Sequence, residues 1–323
     1  PVTIRLSPNH RLKPLFEQHH VAWLSEEAAE RQDIRPLHIG ILNIMPRAED
    51  YEFNLLAPMG RSILQIIPIW IRLRNHSYTS SAQDHLDKNY LPFDWAQSVA
   101  ALDGLIVTGA PVEELPWEQV TYWPELCGIF DAAMRGGTCL LGICWGGLAL
   151  AKYLGIEKMK YPQKIFGVYP TRNLVPDHPI MGGLDDVFWC PQSRHSGVAD
   201  DVLEAAAAAG KVRLLAHADK GGYTIFETPD HQVIMHLGHQ EYNSSRLLAE
   251  AQRDRLKARA VRVAVLGDGG WGTALALTLV RNGHSPTVWG PNAEYLDTVR
   301  QTRANPKFLP GVPLPESVSW TAD

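Results

Sequence analysis

The residue whose type and surroundings most clearly indicate a chemical role is Cys144, in the segment LLGICWGG at residues 140–147. A tight turn from strand to helix needs glycine where the backbone crowds its neighbours, and it exposes the residue at its apex. The N-terminus of the following helix favours a thiolate at that position. The pattern predicts that Cys144 is a nucleophile on an elbow, although a lone cysteine in an apolar strand is usually a buried small side chain.

A thiolate nucleophile needs a base, and the sequence offers His239 and Glu241 at the end of a later apolar run. Side chains two residues apart on an extended chain point the same way, so Glu241 can orient His239 while His239 serves Cys144. The pair alone is a weak signal, because the chain has 13 histidines. Combined with the elbow, it indicates a Cys-His-Glu acyl-transfer site of the glutamine-amidotransferase type.

The elements expected to position these residues alternate between strands and helices. Short apolar strands are predicted at 37–43, 63–71, 104–108 and 138–143, with helices at 50–60, at 117–135 and directly after Cys144. This alternation is typical of a parallel sheet that helices cover on both faces. Shorter segments then predict an antiparallel extension, at 167–169, 213–215, 223–227 and 233–237. The fold class is therefore α/β, a class I glutamine-amidotransferase-like (flavodoxin-like) parallel sheet with a nucleophile elbow.

The composition indicates which kinds of molecule the protein can bind. The 323 residues include 30 Lys and Arg against 35 Asp and Glu, a net charge of −5, which gives no general attraction to nucleic acid or anionic membrane. No apolar run reaches the roughly 18–20 residues of a membrane span, and the first residues lack the apolar core of a secretion signal. The four cysteines have no CxxC spacing, which argues against a disulfide framework or a zinc site. We expect a cytoplasmic protein with small-molecule substrates and no metal, and a homodimer is left open.

A second signal lies near the C-terminus, where an apolar run at 261–266 is followed by Gly267, Gly269 and Gly272. This is the dinucleotide fingerprint in its strand–turn–helix context. With GGWGTALA at 269–276 and KFLPG at 307–311, it resembles the start of NAD(P)-dependent glycerol-3-phosphate dehydrogenase. Only an incomplete Rossmann βαβ segment is present, and no acidic residue closes its second strand. NAD is the cofactor hypothesis for this segment, but we expect no dehydrogenase activity.

The larger part of the chain, about residues 16–257, resembles the homoserine O-acyltransferases of methionine biosynthesis, which use acetyl-CoA or succinyl-CoA. The motifs that carry the resemblance are QDIRPL at 32–37, ILNIMP at 41–46, GLIVTGAPVE at 104–113, ICWG at 143–146, FGVY at 166–169, SRH at 193–195, and GH with EY at 238–242. This number of motifs, in the same order as in the family, makes the resemblance specific to that family.

The resemblance implies roles for individual residues. Cys144 attacks the acyl-CoA thioester, His239 then activates the hydroxyl of homoserine, and Glu241 holds His239. The oxyanion meets backbone N–H groups of Trp145 and Val112, since Pro111 has none. The remaining substrate-binding positions are Lys164, Arg253 and Ser193. Arg253 suits the amino-acid carboxylate, because a guanidinium donates two parallel hydrogen bonds.

The residue that follows GAPx separates the succinyl from the acetyl enzymes of the family, and here it is Glu113. Its carboxylate would fill the pocket and repel the distal carboxylate of a succinyl group, which favours acetyl-CoA. The chain departs from the family's pattern at Gln240, at 47–52 and at 77–80, and it lacks the long C-terminal segment. These departures leave the acceptor open between homoserine and serine or another hydroxy-amino acid.

The predicted organisation is an N-terminal arm at 1–34, an acyltransferase domain at 35–258 and a partial Rossmann segment at 259–323. A truncated or frame-joined product is the alternative to a bifunctional fusion. Two other functions stay open: a glutaminase-type amidotransferase with the same triad, and an inactive fusion whose glycine turn holds NAD.

Overall fold

The computed structural model describes residues 3–7, 9–93, 102–259, 262–281 and 284–323. The chain forms two compact units, Pro1–Asn243 and Ser244–Asp323. The sequence analysis placed this boundary at 258/259, whereas the structure groups the helix Ser244–Arg259 with the second unit. Within the described ranges, none of the helices combines the length and apolar composition that a membrane span requires.

The first unit is built on one sheet, whose described strands number 12. In chain order they are β1 (Ile4–Leu6), β2 (Trp23–Ser25), β3 (Leu37–Leu42), β4 (Ile66–Arg72), β5 (Leu91–Pro92), β6 (Gly104–Val107), β7 (Cys139–Ile143), β8 (Met159–Asn173), β9 (Val187–Gly197), β10 (Arg213–Ala218), β11 (Gly222–Glu227) and β12 (Val233–His236). Their order across the sheet is β2-β1-β4-β3-β6-β7-β12-β11-β10-β8-β9, and β5 pairs with β4.

One half of the sheet, from β2 to β12, is parallel. Strands β3, β4, β6 and β7 confirm the four predicted apolar strands. Strand β12 was predicted within the antiparallel extension, but it pairs in parallel with β7 and antiparallel only with β11. Because of this pairing, the chain leaves β12 at the same edge as β7, which brings His239 to the edge that carries Cys144.

The other half of the sheet, from β11 to β9, is antiparallel, as predicted. Its longest strands, β8 and β9, were largely missed from the sequence. Only residues 167–169 of β8 were predicted, because the remainder alternates too irregularly between apolar and charged residues to stand out.

Helices and short turns surround the sheet. They are α1 (Lys13–Gln18), α2 (Glu26–Glu30), α3 (Ala48–Met59), α4 (Gln83–Asn89), a 3₁₀ turn (Trp117–Gln119), α5 (Trp123–Gly136), α6 (Trp145–Tyr153) and α7 (Asp200–Ala208). Two apolar cores result, one on each face of the parallel strands, and the adjacent residues Ile41 and Leu42 belong to opposite cores. This alternation is what a strand buried on both faces requires. The segment predicted as an N-terminal arm supplies β1 and β2 to one edge of the sheet.

The second unit contains α8 (Ser244–Arg259), β13 (Arg262–Leu266), α9 (Gly270–Arg281), β14 (Ser285–Trp289), α10 (Ala293–Thr302), β15 (Ala304–Asn305), β16 (Leu309–Pro313) and β17 (Ser319–Thr321). Strands β13, β14 and β17 are parallel neighbours, and β15 pairs with β16. Helix α9 connects β13 to its parallel neighbour β14, which is the βαβ arrangement expected of a partial Rossmann segment.

Candidate active site

Cys144 lies at the apex of a sharp turn between β7 and α6. Its backbone has φ 53° and ψ −113°, and its N–H donates to the carbonyl oxygen of His236 at 2.8 Å. A non-glycine residue in such a conformation costs about 1–3 kcal/mol and persists only when its surroundings impose it. The structure therefore confirms the predicted nucleophile elbow as a local geometry.

The glycines around Cys144 are required by close backbone contacts. A Cβ atom on Gly146 would lie 2.1 Å from the carbonyl oxygen of Val107, and one on Gly142 would lie 2.5 Å from the backbone of Gly146. Helix α6 can thus pack directly on β6 and β7 only because these side chains are absent. The GxCxGG pattern encodes this proximity.

The structure brings His239 and Glu241 to Cys144. His239 Nδ1 lies 2.7 Å from Glu241 Oε1, and both side chains are buried, 4% and 8% exposed. Cys144 lies close enough to the same imidazole to raise its pKa through charge interaction and hydrogen bonding. The structure therefore places the candidate nucleophile, base and orienting acid together.

The protonation state of His239 depends on these two neighbours. Burial alone lowers the pKa of His239, because it removes the imidazolium from water. Charge interactions and hydrogen bonds with Cys144 and Glu241 outweigh this effect and raise the pKa well above the usual histidine value. The arrangement favours an imidazolium beside the nucleophile, which is the proton donor that a leaving thiolate needs.

Two tyrosines support the His239–Glu241 segment, and sequence reasoning did not assign them to the site. The ring of Tyr242 stacks on His239, with centroids 4.1 Å apart, and its hydroxyl lies 2.9 Å from that of Tyr51 on α3. Tyr242 stands in the family motif beside Glu241, so that motif could have pointed to it. No sequence signal connected Tyr51 to a segment so far away in the chain.

The two segments that depart from the family's pattern contact each other at the start of α3. The backbone N–H of Arg47 donates to Ser80 Oγ at 3.2 Å, and that of Ala48 donates to Ser81 Oγ at 2.9 Å. The serines thus satisfy N–H groups that the first turn of a helix leaves without partners. These hydrogen bonds hold the start of α3 against residues 80–81.

Glu113 is fixed by the backbone of β9. Its Oε2 accepts hydrogen bonds from the N–H groups of His195 at 2.8 Å and Ser196 at 3.2 Å. Burial raises the pKa of Glu113, although these two hydrogen bonds oppose the change. Lys158, which directly precedes β8, donates to the carbonyl oxygens of Glu113 and Leu115 and so holds the 113–115 loop. Glu113 also interacts electrostatically with His239, so it lies near the catalytic residues.

The predicted oxyanion donors, the N–H groups of Trp145 and Val112, lie on the elbow and on the loop after β6. The indole of Trp145 is fully buried against Trp117 and Tyr122, so only the backbone of Trp145 can serve the site. A Cβ atom on Gly109 would lie 3.6 Å from the Cβ of Cys144, which brings the loop that contains Val112 close to the nucleophile. The oxyanion role of both groups stays a prediction.

The other predicted substrate-binding residues lie on three different elements. Lys164 lies on β8, with its Nζ 5.1 Å from the ring centroid of Phe166, and Ser193 on β9 pairs in register with Phe166. Arg253 lies on α8 in the second unit, where its guanidinium is 3.7 Å from Glu250. Contact of these residues with a substrate stays a prediction.

A second cysteine, Cys190, lies beside the catalytic segment. A Cβ atom on Gly238 would lie 2.4 Å from its Sγ, and Gln192 donates to this sulfur at 3.2 Å. Burial raises the pKa of Cys190 to about 12, so it stays a neutral thiol at physiological pH. Proximity to His239 alone therefore does not make a cysteine a nucleophile in this fold.

Among the described residues, one cluster has the composition of a metal site: His178, Glu227 and His231. The Nε2 of His178 and the Nδ1 of His231 lie 2.7 and 2.8 Å from Glu227 Oε1. The N–H of Ile180 donates to His178 Nδ1 at 3.2 Å, so the Nε2 atom is the one that faces Glu227. The cluster is a hydrogen-bonded support for Glu227, and the prediction of no metal site stays a prediction.

The glycine turn of the second unit has the backbone of a dinucleotide loop. Gly267 has φ +113°, and a Cβ atom on Gly272 would lie 1.9 Å from the carbonyl oxygen of Gly267. The space beside Gly269 is open to a distance of 4 Å. The three glycines thus fit the backbone requirement of the fingerprint, while NAD binding stays a prediction.

Comparisons with known proteins match the two parts of the chain separately. Residues 3–265 match the family model described as homoserine O-succinyltransferase. Residues 262–323 match the model described as the N-terminus of NAD-dependent glycerol-3-phosphate dehydrogenase. The two matches meet at β13, and they confirm both resemblances inferred from the sequence.

Curated relatives agree with the first match. The homoserine O-acetyltransferase of Geobacillus sp. (strain WCH70) is 36% identical over 78% of this chain and 82% of its own length. That of Desulfovibrio desulfuricans (strain ATCC 27774) is 39% identical over 74% of this chain and 75% of its own length. A glutamine amidotransferase from Thermotoga maritima aligns with 71% of this chain and 86% of its own, at 13% identity and a TM-score of 0.47. Because the family model matches residues 3–265 and these relatives are 36% and 39% identical, the chain belongs to the homoserine O-succinyltransferase family.

Proposed function

We propose that the protein transfers an acetyl group from acetyl-CoA to the hydroxyl of L-homoserine, as a step of methionine biosynthesis. The observation that carries the proposal is the buried, hydrogen-bonded His239–Glu241 pair beside Cys144, in a member of this family. The printed names of the matched relatives, homoserine O-acetyltransferase, support the choice of donor and acceptor.

The first half-reaction moves the acetyl group to the enzyme. The Cys144 thiolate attacks the thioester carbonyl carbon, and the carbonyl oxygen takes up negative charge that the N–H groups of Trp145 and Val112 stabilise. When the tetrahedral intermediate collapses, the bond to the CoA sulfur breaks and His239 donates its proton to that sulfur. The products are a thioester on Cys144, neutral His239 and free CoA.

The second half-reaction moves the acetyl group to the acceptor. Neutral His239 takes the proton from the homoserine hydroxyl while the oxygen attacks the thioester on Cys144. Collapse of the second intermediate releases O-acetylhomoserine and regenerates the thiolate beside the imidazolium. Lys164 on β8 and Ser193 on β9 are the proposed contacts for the amino acid in the first unit. The family resemblance separately implies a carboxylate-binding role for Arg253.

Glu113 supports acetyl as the acyl group. Its carboxylate is held by two backbone N–H groups of β9, so it cannot swing away to admit a longer chain. A succinyl group would bring a second carboxylate toward this partly buried charge, and like charges at short range disfavour ionisation or binding. An acetyl group ends before it reaches this contact.

The test is intact-mass spectrometry of the protein mixed with acetyl-CoA or succinyl-CoA in the absence of an acceptor. We expect one acetyl group on the parent and on Cys190→Ala, and none on Cys144→Ser. The Cys190→Ala variant is the matched control, because it removes a buried thiol close to the same histidine. Addition of homoserine, serine or glutamine to the acetylated protein then identifies the acceptor by loss of the added mass.

Other results would replace the proposal. Addition of a succinyl group would show that Glu113 does not exclude the longer donor. Release of ammonia from glutamine without acyl-CoA would favour the amidotransferase alternative. Absence of any adduct on a folded protein would favour the inactive fusion.

A further inference from the structure

The imidazole of His239 has an aromatic ring on one of its faces. The centroids of His239 and Tyr242 are 4.1 Å apart, and their planes differ by 23°. An imidazolium over an aromatic face is attracted by the ring's electron density when it lies within about 6 Å of the centroid. The stack therefore both restricts the tilt of the imidazole and favours its charged form.

Helix α3 holds this stack in place. The hydroxyl of Tyr51 lies 2.9 Å from that of Tyr242, and the Asn54 side-chain amide donates to the carbonyl oxygen of Glu241 at 3.1 Å. Tyr51 is 2% exposed, so the hydroxyl pair replaces water as a partner. Two consecutive residues of the catalytic segment are thus bonded to one helix, from positions one turn apart on it.

The helix itself is fixed by Glu52, which is buried next to Tyr51. One carboxylate oxygen accepts from Arg11 at 2.7 Å, and the other accepts from Tyr90 at 2.9 Å and lies 2.6 Å from His85 Nε2. Rotation of α3 would separate these partners and leave a charge unpaired in the interior, which is costly. The helix can therefore act as a rigid support.

We propose that Tyr242 is a positioning residue for His239, and that α3 fixes it through Tyr51 while Asn54 fixes the adjoining Glu241. The inference rests on the proposed function, because it concerns the base of that reaction. It adds residues that act through the imidazole, by deciding where that ring lies.

Several charged and titratable groups around His239 already affect its pKa, apart from Tyr242. Cys144 and Glu241 favour the imidazolium, as does the charge of Glu113, whereas the neighbouring His236 opposes it. Burial lowers the pKa of His236, so this neighbour is neutral near pH 7 and contributes little repulsion. Tyr242 adds its effect to these four groups.

The experiment measures the rate at which iodoacetamide alkylates Cys144 between pH 5 and pH 10, in the full chain. Variants Tyr242→Phe and Tyr51→Phe each remove one hydroxyl, and Tyr242→Leu removes the ring. Tyr223→Phe is the matched control, because the Tyr223 hydroxyl also bonds a side chain, Glu204, away from the catalytic residues. The acetylation rate with acetyl-CoA is measured in parallel.

We expect Tyr242→Leu to lower the upper inflection of the alkylation profile, where the imidazolium loses its proton, by about 0.5–1.5 pH units. Tyr242→Phe and Tyr51→Phe should leave that inflection in place and slow acetylation about 2- to 10-fold, the loss of one buried hydrogen bond. The double variant should be no slower than either single variant, because both remove the same bond. Tyr223→Phe should match the parent.

An unshifted inflection in Tyr242→Leu, or additive losses in the double variant, would overturn the inference. Because alkylation needs no acyl donor, the profile can be measured even if no acyl-CoA acylates the protein. Failure of the proposed function and failure of the positioning role are therefore separate outcomes.

Discussion

The carboxylate of Glu241 should control the protonation of His239, and Glu241→Gln tests this directly. The substitution keeps the shape and leaves an amide oxygen able to accept from Nδ1, 2.7 Å away, but it removes the negative charge. A unit charge about 4 Å away contributes about 4 kcal/mol at an effective dielectric constant of 20, and the measured difference between charged and neutral hydrogen bonds is about 1–2 kcal/mol. At about 1.4 kcal/mol per unit, the pKa of His239 should fall by about one to three units.

The assay is the pH dependence of Cys144 alkylation by iodoacetamide, with fragment-ion mass spectrometry to assign each addition to its cysteine, because the exposed Cys139 thiol also reacts. The upper inflection should move down in Glu241→Gln and stay in place in Glu114→Gln, an exposed carboxylate bonded to Lys160. The acetylation rate at pH 7 should fall at least about 10-fold, since each 1.4 kcal/mol is a factor of ten. An unchanged inflection would refute the reasoning, because it would show that charge on Glu241 does not stabilise the imidazolium.

The same raised pKa predicts a stability change with a defined sign. A histidine whose pKa is higher in the folded than in the unfolded state stabilises the fold fully below the unfolded value of about 6.5. This contribution is lost as the pH rises through the folded pKa, which lies above that value. The parent should therefore exceed Glu241→Gln in free energy of unfolding most strongly near pH 6, and the difference should shrink toward pH 10 in urea titrations.

Three further predictions concern the pocket, the elbow and the support helix. Glu113→Gly should allow succinylation of Cys144 in the mass assay, and a variant that still accepts only acetyl would remove Glu113 from donor selection. Gly146→Ala should prevent folding or cost several kcal/mol in urea unfolding, since its Cβ would lie 2.1 Å from a backbone oxygen, whereas Gly183→Ala, with open space around it, should be near neutral. Glu52→Gln should cost about 1–3 kcal/mol, because Arg11 is half exposed and can return to water; a loss below 0.5 kcal/mol would show that α3 does not depend on this pair.

Local patterns in the sequence were sufficient for the parallel strands, the elbow and the second unit's βαβ segment. Apolar runs of strand length, and glycines placed around Cys144, reflect constraints that act within a few residues. They identified β3, β4, β6 and β7 and the GxCxGG turn. They did not give the length of β8 and β9, whose charged and polar residues hide the strand period.

The alignment of Cys144 with His239 depends on how β12 enters the sheet. The sequence placed the His239–Glu241 pair at a strand end, but it put that strand in the antiparallel extension. Only the parallel pairing of β12 with β7 brings the two strand ends to one edge. This pairing joins residues that are far apart in the sequence, and the periodicity of a single strand does not indicate which strand it will pair with.

By itself, the sequence determined which residues could react and which local turns could present them, because these depend on side-chain chemistry and on backbone crowding between near neighbours. The tertiary structure decided the rest: that Tyr51, Asn54 and Tyr242 hold the base, that β9 fixes Glu113, and that Cys190 stays a thiol beside the same histidine. Each of these depends on burial and on hydrogen bonds between residues distant in the chain, which form only when the chain folds.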